Sequence, residues 1–215
     1  MQAMVVGSSG QVIAGPRSVN ASATTVAVGR KRCAVAAGTP LAVLADLHGP
    51  SFAVRDYGRC GSSASNSASL FVYDLAGESN SGRNGWEYKV GGLAGSTGAA
   101  DTSGAEGNSR LLGSGTRVLW FYCHAAAGGC QRTLALSAPA SVSHGSRVTV
   151  HVTGYDNEGH GIPIAGAIVT LGSDFASTNS AGNAVLIAPS GHGSYSLSAR
   201  RRGLVPAFPQ TIAVR

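Results

Sequence analysis

The apolar residues of this chain occur in short alternating runs that end at glycine-containing turns, and this pattern strongly constrains the fold. In Val148, Val150 and Val152 every second residue is apolar, which is the periodicity of a half-buried β-strand. After residue 132 such runs recur roughly every 8 to 12 residues, the spacing typical of a β-sandwich. With 31 Gly and 8 Pro among 215 residues, turns are too frequent for long helices. The pattern therefore predicts a mainly β protein.

One helix is predicted, in the first half of the chain. Thr39 is a candidate N-cap, Pro40 suits the first helical position, and leucines follow on one face. The run at residues 116–122 is apolar on both faces, which predicts a central strand covered on both sides. The other strands predicted here are residues 3–6, 11–14, 24–28, 51–57, 70–73 and 85–91.

The sequence pattern changes near residues 131–138, after which no helix is indicated. We therefore predict two domains, an α+β domain at residues 1–131 and an all-β sandwich at residues 132–215. The strands predicted in the second domain are residues 133–137, 147–153, 168–171, 184–188, 194–199 and 210–214.

The four cysteines are an even number, and no two have the C-x2-C spacing of a zinc site. Of the three possible connectivities, Cys33 with Cys60 and Cys123 with Cys130 closes the shortest loops. Such disulfides persist in an oxidising compartment, so we favour them in a secreted or cell-surface protein. Two alternatives stay open: four buried free thiols in a cytoplasmic protein, and a metal cluster of Cys123, His124 and Cys130.

Neither membrane insertion nor nucleic-acid binding is predicted. No stretch approaches the roughly 18 consecutive apolar residues that span a bilayer, and residues 1–7 lack the pattern of a secretory leader. The net charge is +6, but the basic clusters at residues 30–32 and 200–202 have no interleaved aromatic residues to stack on bases. We expect a monomer whose leader is not present in this chain.

No motif indicates catalysis. The chain has no nucleophile elbow, phosphate-binding loop or dinucleotide-binding glycine pattern, and its ten acidic residues show no identifiable catalytic pair. We therefore predict a protein that is not an enzyme, with no cofactor and no catalytic residue. A hydrolase with an unrecognised site is the least favoured hypothesis.

Two groups of polar residues in the second domain are candidate metal ligands. His144, His160 and His192 lie in predicted turns, and their clustering at one end of the sandwich would form a metal or acid-sensitive site. Residues 156–158, Asp-Asn-Glu, offer oxygen ligands for calcium but lack the EF-hand spacing. In both cases solvated turn residues are the favoured interpretation, so no metal site is assigned.

Four segments of the first half share residues with one domain family. They are GSSGQVIAGP at residues 7–16, the helix after Gly38-Thr39-Pro40, GWEYKVGG at residues 85–92 and GSGTRVLWFY at residues 113–122. On these segments, residues 3–130 resemble a family of unknown function related to the C-terminal domain of transcobalamin and common in secreted actinobacterial proteins. The resemblance implies a β-grasp-like fold. In transcobalamin the related domain covers one face of a bound corrinoid.

The second half contains GIPIAGAIVTL at residues 161–171, TNSAG at residues 178–182 and the turn Gly193-Ser194-Tyr195. It resembles a bacterial immunoglobulin-like or carboxypeptidase-regulatory-like β-sandwich. Such modules usually serve as spacers or as surface-presented binding units.

The leading functional hypothesis is a secreted or cell-surface, non-enzymatic interaction or presentation module of a bacterium. Its expected partner is an extracellular protein, a glycan or a cell-wall component. The alternative hypothesis is a small-molecule binding protein for a corrinoid or another cofactor.

The predicted interaction surface consists of Trp86, Tyr88, Trp120 and Tyr122, together with residues 92–107, which have almost nothing to bury and are predicted to form a mobile loop. Core packing of the four rings stays open as the alternative.

Overall fold

A computed structural model describes residues 1–215 and has 47% of them in strands and 5% in helical structure. The predicted mainly β fold class is therefore confirmed. The chain divides into two compact units, Met1–Cys130 and Gln131–Arg215, called the first and second units below. The predicted division after residue 131 differs from this one by a single residue.

The first unit contains ten strands, one α-helix and a single 3-10 turn at Ala64–Asn66. Its elements are β1 Gln2–Val6, β2 Val12–Ser18, β3 Thr24–Val28, β4 Lys31–Val35, α1 Pro40–Asp46, β5 Phe52–Asp56, β6 Leu70–Leu75, β7 Glu78–Ser79, β8 Gly85–Val90, β9 Leu93–Ala94 and β10 Arg117–Cys123. With seven residues, α1 is too short to cross a bilayer, and no other helix is long enough either.

The main sheet of the first unit has the strand order β2-β1-β10-β8-β9. Its first and last long strands, β1 and β10, lie side by side in the centre and are parallel, with Val5 opposite Trp120. The helix begins as predicted, because the Thr39 hydroxyl accepts a hydrogen bond from the Ala42 amide at 3.3 Å. The Trp120 indole donates to the carbonyl of Pro40 at 3.2 Å and so joins this sheet to α1. In the first unit, α1 thus packs on a sheet whose two central strands are parallel.

Both faces of β10 are buried, as its doubly apolar sequence predicted. Val118 and Trp120 belong to the core that includes α1, while Leu119 and Phe121 point to the opposite face and are buried as well. Two smaller sheets complete this unit, the hairpin β3-β4 and the three-stranded β5-β6-β7.

The second unit contains nine strands in two sheets whose inner residues share one apolar core. They are β11 Thr133–Ser137, β12 Ser141–Val142, β13 Arg147–Tyr155, β14 Gly161–Pro163, β15 Ile168–Leu171, β16 Asp174–Ser177, β17 Asn183–Ile187, β18 Gly193–Arg200 and β19 Gln210–Val214. Along β13, Val148, Val150 and Val152 point into the core, so this is the sandwich that the alternation predicted. The short strands β12, β14 and β16 were not predicted.

Candidate ligand-binding groove

A groove of about 410 Å³ lies on the first unit, between β5 and β6 on one side and the start of β8 on the other. The sheet β5-β6 provides its aromatic and cationic side, and the segment from Ser79 to Glu87 provides the opposite side. The aromatic and charged side chains of its lining come from β5, β6 and the segment that follows them closely in the chain.

The outer face of β5-β6 carries exposed aromatic rings. Tyr57 is 70% exposed and Phe71 is 41% exposed, and their ring centroids lie 6.1 Å apart in an edge-to-face arrangement. Successive side chains of a strand point to opposite faces of the sheet. Val54 and Val72 point into the core, so Arg55, Tyr57, Phe71 and Tyr73 lie on the outer face. The result is an exposed aromatic surface on the outer face of this sheet.

Two arginines lie among these rings. The Arg55 guanidinium carbon is 4.5 Å from the centroid of the Tyr73 ring, which is the geometry of a cation–π contact. Arg83 is exposed at the tip of the turn between Ser81 and Asn84, which is closed by two backbone hydrogen bonds of 3.0 Å. Neither arginine forms an ion pair with a carboxylate of this chain. Both guanidinium groups are therefore available to an anionic ligand.

The turn that carries Arg83 is held in place by Asn80 and Asn84. The side-chain oxygen of Asn80 accepts a hydrogen bond from the Trp86 amide at 2.9 Å, and that of Asn84 accepts one from the Ala125 amide at 2.9 Å. The Trp86 indole donates to the carbonyl of Glu78 at 2.6 Å beneath the groove. These bonds fix the side of the groove opposite the aromatic face.

Asp56 positions the loop that presents Tyr57. Its carboxylate accepts hydrogen bonds from the amides of Gly58 at 2.9 Å and Cys60 at 3.1 Å, and from the Lys31 ammonium at 3.1 Å. The Gly58 bond, together with those of Lys31 and Cys60, outweighs the loss of water and holds the pKa of Asp56 below its usual value. Tyr57 is thus exposed on a loop that is tied down on both sides.

Glu87 is the one carboxylate that lines the groove. Although the residue as a whole is exposed, removal of water from its carboxyl group by the surrounding atoms raises its pKa. A ligand carboxylate in this groove therefore meets the two arginine side chains and the Glu87 carboxyl group, which takes up a proton more readily than an ordinary glutamate does.

The predicted interaction surface is not an exposed one, because Trp86, Tyr88, Trp120 and Tyr122 are all buried, with 2 to 7% of each residue exposed. Of these four residues, Trp86 alone contributes to the lining of the groove. The Trp86 and Tyr122 ring centroids are 5.6 Å apart, and those of Tyr88 and Trp120 are 5.4 Å apart. The alternation was identified correctly, but these rings point toward the core. The open alternative of core packing is therefore the one that the structure supports.

Residues 92–107 are also more closely packed than the sequence indicated. Ala99, Ala100 and Ala105 are buried, and the Leu41 amide donates to the carbonyl of Ala99 at 2.7 Å. A Cβ atom at Gly98 would lie 1.8 Å from the carbonyl oxygen of Ala68, so the loop lies directly against that backbone. The prediction that this segment has almost nothing to bury is wrong, because small residues allowed it to pack without large side chains.

The cysteines pair as the sequence favoured. Cys33 is bonded to Cys60 and Cys123 to Cys130, with Cα atoms 5.2 and 5.1 Å apart, and no cysteine is free. The alternatives of four free thiols and of a metal cluster at Cys123 and Cys130 therefore do not apply to this structure. The second disulfide adjoins the groove, since Cys123 contributes to the lining.

The three turn histidines of the second unit do not meet at one point. His144 and His192 contact each other, whereas His160 lies 3.7 Å from Asp156. Oxygen and nitrogen atoms of Asp156, Glu158 and His160 lie within 4.8 Å of one another, but Asp156 is already paired with Arg132 at 3.2 Å. This turn is therefore explained by its own ion pairs.

The sequence analysis missed Arg55, Tyr57, Phe71, Tyr73 and Arg83. The strands at residues 51–57 and 70–73 were predicted. Within them, alternation puts Val54 and Val72 on one face and the aromatic residues on the other. That alternation could have identified the exposed face, but only the structure brings the turn at Arg83 to it.

Comparisons of the chain with protein-family models, curated proteins and solved structures found no match.

Proposed function

We propose that this chain is an extracellular, non-enzymatic binding module whose groove on the first unit holds an acidic glycan. The observation that carries the proposal is the combination of exposed aromatic rings with two arginines that have no carboxylate partner in the chain. Bacterial origin, action as a monomer and the relation of the two units to the transcobalamin-type and immunoglobulin-like families belong to the same proposal.

The aromatic face suits a sugar ring. Tyr57 and Phe71 offer flat apolar surface to the C–H face of a pyranose, and the tyrosine hydroxyl adds a hydrogen-bonding group at the rim. Adjacent exposed apolar rings of this kind are typical of surfaces that bind a ligand or partner. Stacking thus supplies affinity that depends little on the identity of each sugar.

The arginines select for acidic sugars. A guanidinium group presents a planar fork of N–H donors that matches a carboxylate in two parallel hydrogen bonds. Contact with the Tyr73 ring holds the Arg55 guanidinium within 4.5 Å of that ring's centroid, which reduces the entropy lost on binding. The net charge of +6 favours the approach of an anionic polymer as well.

A glycan fits this surface better than an acidic peptide does. Extended peptides usually bind a sheet by adding a strand to an open edge, where backbone groups are unpaired. The aromatic rings here lie on the outer face of β5-β6, which presents side chains and not backbone groups. The face therefore offers side-chain contacts and no backbone ladder.

We propose binding without catalysis because of the number of carboxylates in the groove. Glycosidases ordinarily use two carboxylic acids about 5 to 10 Å apart, one as acid and one as nucleophile or base. Glu87 is the single carboxylate of the lining, so the groove is assigned binding alone. The extracellular location is supported by the two disulfides, which are compatible with an oxidising compartment.

The alternative, a small-molecule or corrinoid site, is favoured by one observation, the groove volume of about 410 Å³. Pockets for small molecules usually span roughly 300 to 1,000 Å³, but they are mostly apolar and bury most of the ligand. This groove is bordered by exposed residues such as Tyr57 and Arg83 and is lined by polar groups. An extended polymer that contacts one side only is the better match.

The experiment is calorimetric titration with galacturonate oligomers, their methyl esters and polyglutamate. The esters keep the sugar but remove its charge, and polyglutamate keeps the charge but removes the sugar. We expect binding of the acidic oligomer, weaker binding of the ester and little of polyglutamate. Failure of every saccharide to bind, or equal binding of acid and ester, would contradict the proposal, and tighter binding of polyglutamate would replace the glycan with an acidic peptide.

Variants locate the binding surface. Tyr57→Ala should weaken binding at least about fivefold, because removal of an anchoring aromatic residue usually costs more than about 1 kcal/mol. Phe175→Ala is the matched control, since Phe175 is 69% exposed but lies in the second unit. Arg83→Gln should weaken binding of the acid and leave that of the ester unchanged, with Arg147→Gln, an exposed arginine of the second unit, as control.

A further inference from the structure

His144 and His192 lie against each other at one end of the second unit. His144 follows β12 in the turn that leads to β13, and His192 directly precedes β18. Their ring centroids are 5.3 Å apart with an angle of 61° between the ring planes, and both residues are exposed. No other two histidine rings of the chain are in such contact.

Backbone hydrogen bonds hold the two turns together. The Gly145 amide donates to the carbonyl of Ala188 at 3.2 Å, and the Ala188 amide donates to the carbonyl of Ser146 at 2.8 Å. On the other side of His192, the Tyr195 hydroxyl donates to the carbonyl of Gly191 at 3.0 Å. The separation of the two backbone segments that carry His144 and His192 is thus set by the fold.

The ring nitrogens of His144 and His192 have no hydrogen-bond or ion-pair partner in the chain. Each of the other four histidines does have one: His48 with Asp46, His124 with the carbonyl of Ser8, His151 with Asn183 and His160 with Asp156. The two histidines that are adjacent are therefore also the two whose nitrogens are available to a ligand.

Neighbouring imidazoles with free nitrogens are ligands for divalent transition metals. Metal–nitrogen bonds measure roughly 2.0 to 2.1 Å, so the two donor atoms need to lie within about 4 Å of each other. Rings with centroids 5.3 Å apart reach this by rotation of exposed side chains. Imidazole suits Cu²⁺, Ni²⁺ and Zn²⁺, whereas Ca²⁺ and Mg²⁺ prefer oxygen.

We propose that His144 and His192 form a two-histidine site for a divalent transition-metal ion, with Cu²⁺ bound most tightly. Water completes the coordination shell, so the bound metal keeps open positions for a further ligand. The site lies within the second unit and is independent of the groove on the first.

The test is calorimetric titration of the untagged full chain with Cu²⁺, Ni²⁺, Zn²⁺ and, as a negative control, Ca²⁺. We expect one Cu²⁺ per chain with an affinity above those of Ni²⁺ and Zn²⁺, as the general order of stability predicts. His144→Gln or His192→Gln should weaken binding roughly a hundredfold, since the second ligand otherwise binds as an intramolecular step. His160→Gln and His48→Gln should leave it unchanged.

A spectroscopic readout keeps the test decisive if a variant folds poorly. Imidazole resonances of wild-type protein should broaden first at His144 and His192 when substoichiometric Cu²⁺ is added. No binding by the wild type would overturn the proposal. Loss of binding in His160→Gln with retention in His144→Gln would overturn it too and would assign the metal to the Asp156, Glu158 and His160 turn.

Discussion

Removing the two disulfides one at a time should destabilise the first unit by different amounts. Cys33 and Cys60 are 27 residues apart in sequence, and Cys123 and Cys130 are 7 apart. The loop-entropy relation gives about 3.5 kcal/mol for the longer loop and about 2.4 kcal/mol for the shorter one. We therefore expect the Cys33→Ala, Cys60→Ala double variant to be less stable than the Cys123→Ala, Cys130→Ala double variant by about 1 kcal/mol.

The assay is urea unfolding followed by tryptophan fluorescence. Both tryptophans, Trp86 and Trp120, are buried in the first unit, so excitation selective for tryptophan reports the unfolding of that unit alone. This matters because a chain of two units need not unfold in a single step. Alanine at all four positions keeps the side-chain change the same in both variants.

An equal loss of stability in the two double variants, or a larger loss for the Cys123 and Cys130 variant, would refute the reasoning from loop length. No loss in either variant would show that the disulfides do not stabilise the native first unit. Mass mapping of the unreduced protein is the control, since it checks that the linked pairs are those of the structure.

Three further predictions concern charge and packing in the first unit. Glu87→Gln should stabilise the protein near neutral pH, since a raised native pKa means that stability is lost as pH rises through that pKa; thermal melts that show no gain, or the same gain at pH 4, would contradict this. The Asp56 carboxylate stabilises the wild type, and this contribution is lost as pH falls through its lowered pKa. Asp56→Asn lacks the contribution at every pH, so the melting temperatures of wild type and variant should converge in acid. Gly98→Ala should cost about 1 to 3 kcal/mol in urea unfolding, because its Cβ meets the Ala68 carbonyl, whereas Gly113→Ala, with nothing within 4 Å, should cost far less.

Much of the fold could be predicted because its determinants are local. Thr39 and Pro40 mark the start of the helix through capping and a fixed φ, and alternation along β13 identifies the inward face. The shortest-loop argument likewise gave the observed cysteine pairs. Most of the strands that were missed, such as β14 at Gly161–Pro163, are short and owe their structure to pairing with a neighbour. The exception is β4 at Lys31–Val35, a five-residue strand that pairs with β3.

The site could not be predicted to the same extent because alternation does not tell which of two faces is covered. Trp86 and Phe71 both occupy alternating aromatic positions, yet the first is buried and the second is exposed. The difference depends on tertiary contacts, since the Trp86 ring packs against that of Tyr122 and its indole donates to the carbonyl of Glu78. The approach of Arg83 to the β5-β6 face depends likewise on the turn at Ser81 to Asn84, which alternation along the strands does not indicate.

The most direct test of the proposed binding function is a map of backbone amide shifts in wild-type protein titrated with a galacturonate oligomer. The account predicts saturable shifts at Tyr57, Phe71, Arg83 and Glu87, which line the groove, and none around the exposed ring of Phe175. Shifts centred on the second unit, or no shifts at saturating oligomer, would contradict the assignment of the groove as the ligand site.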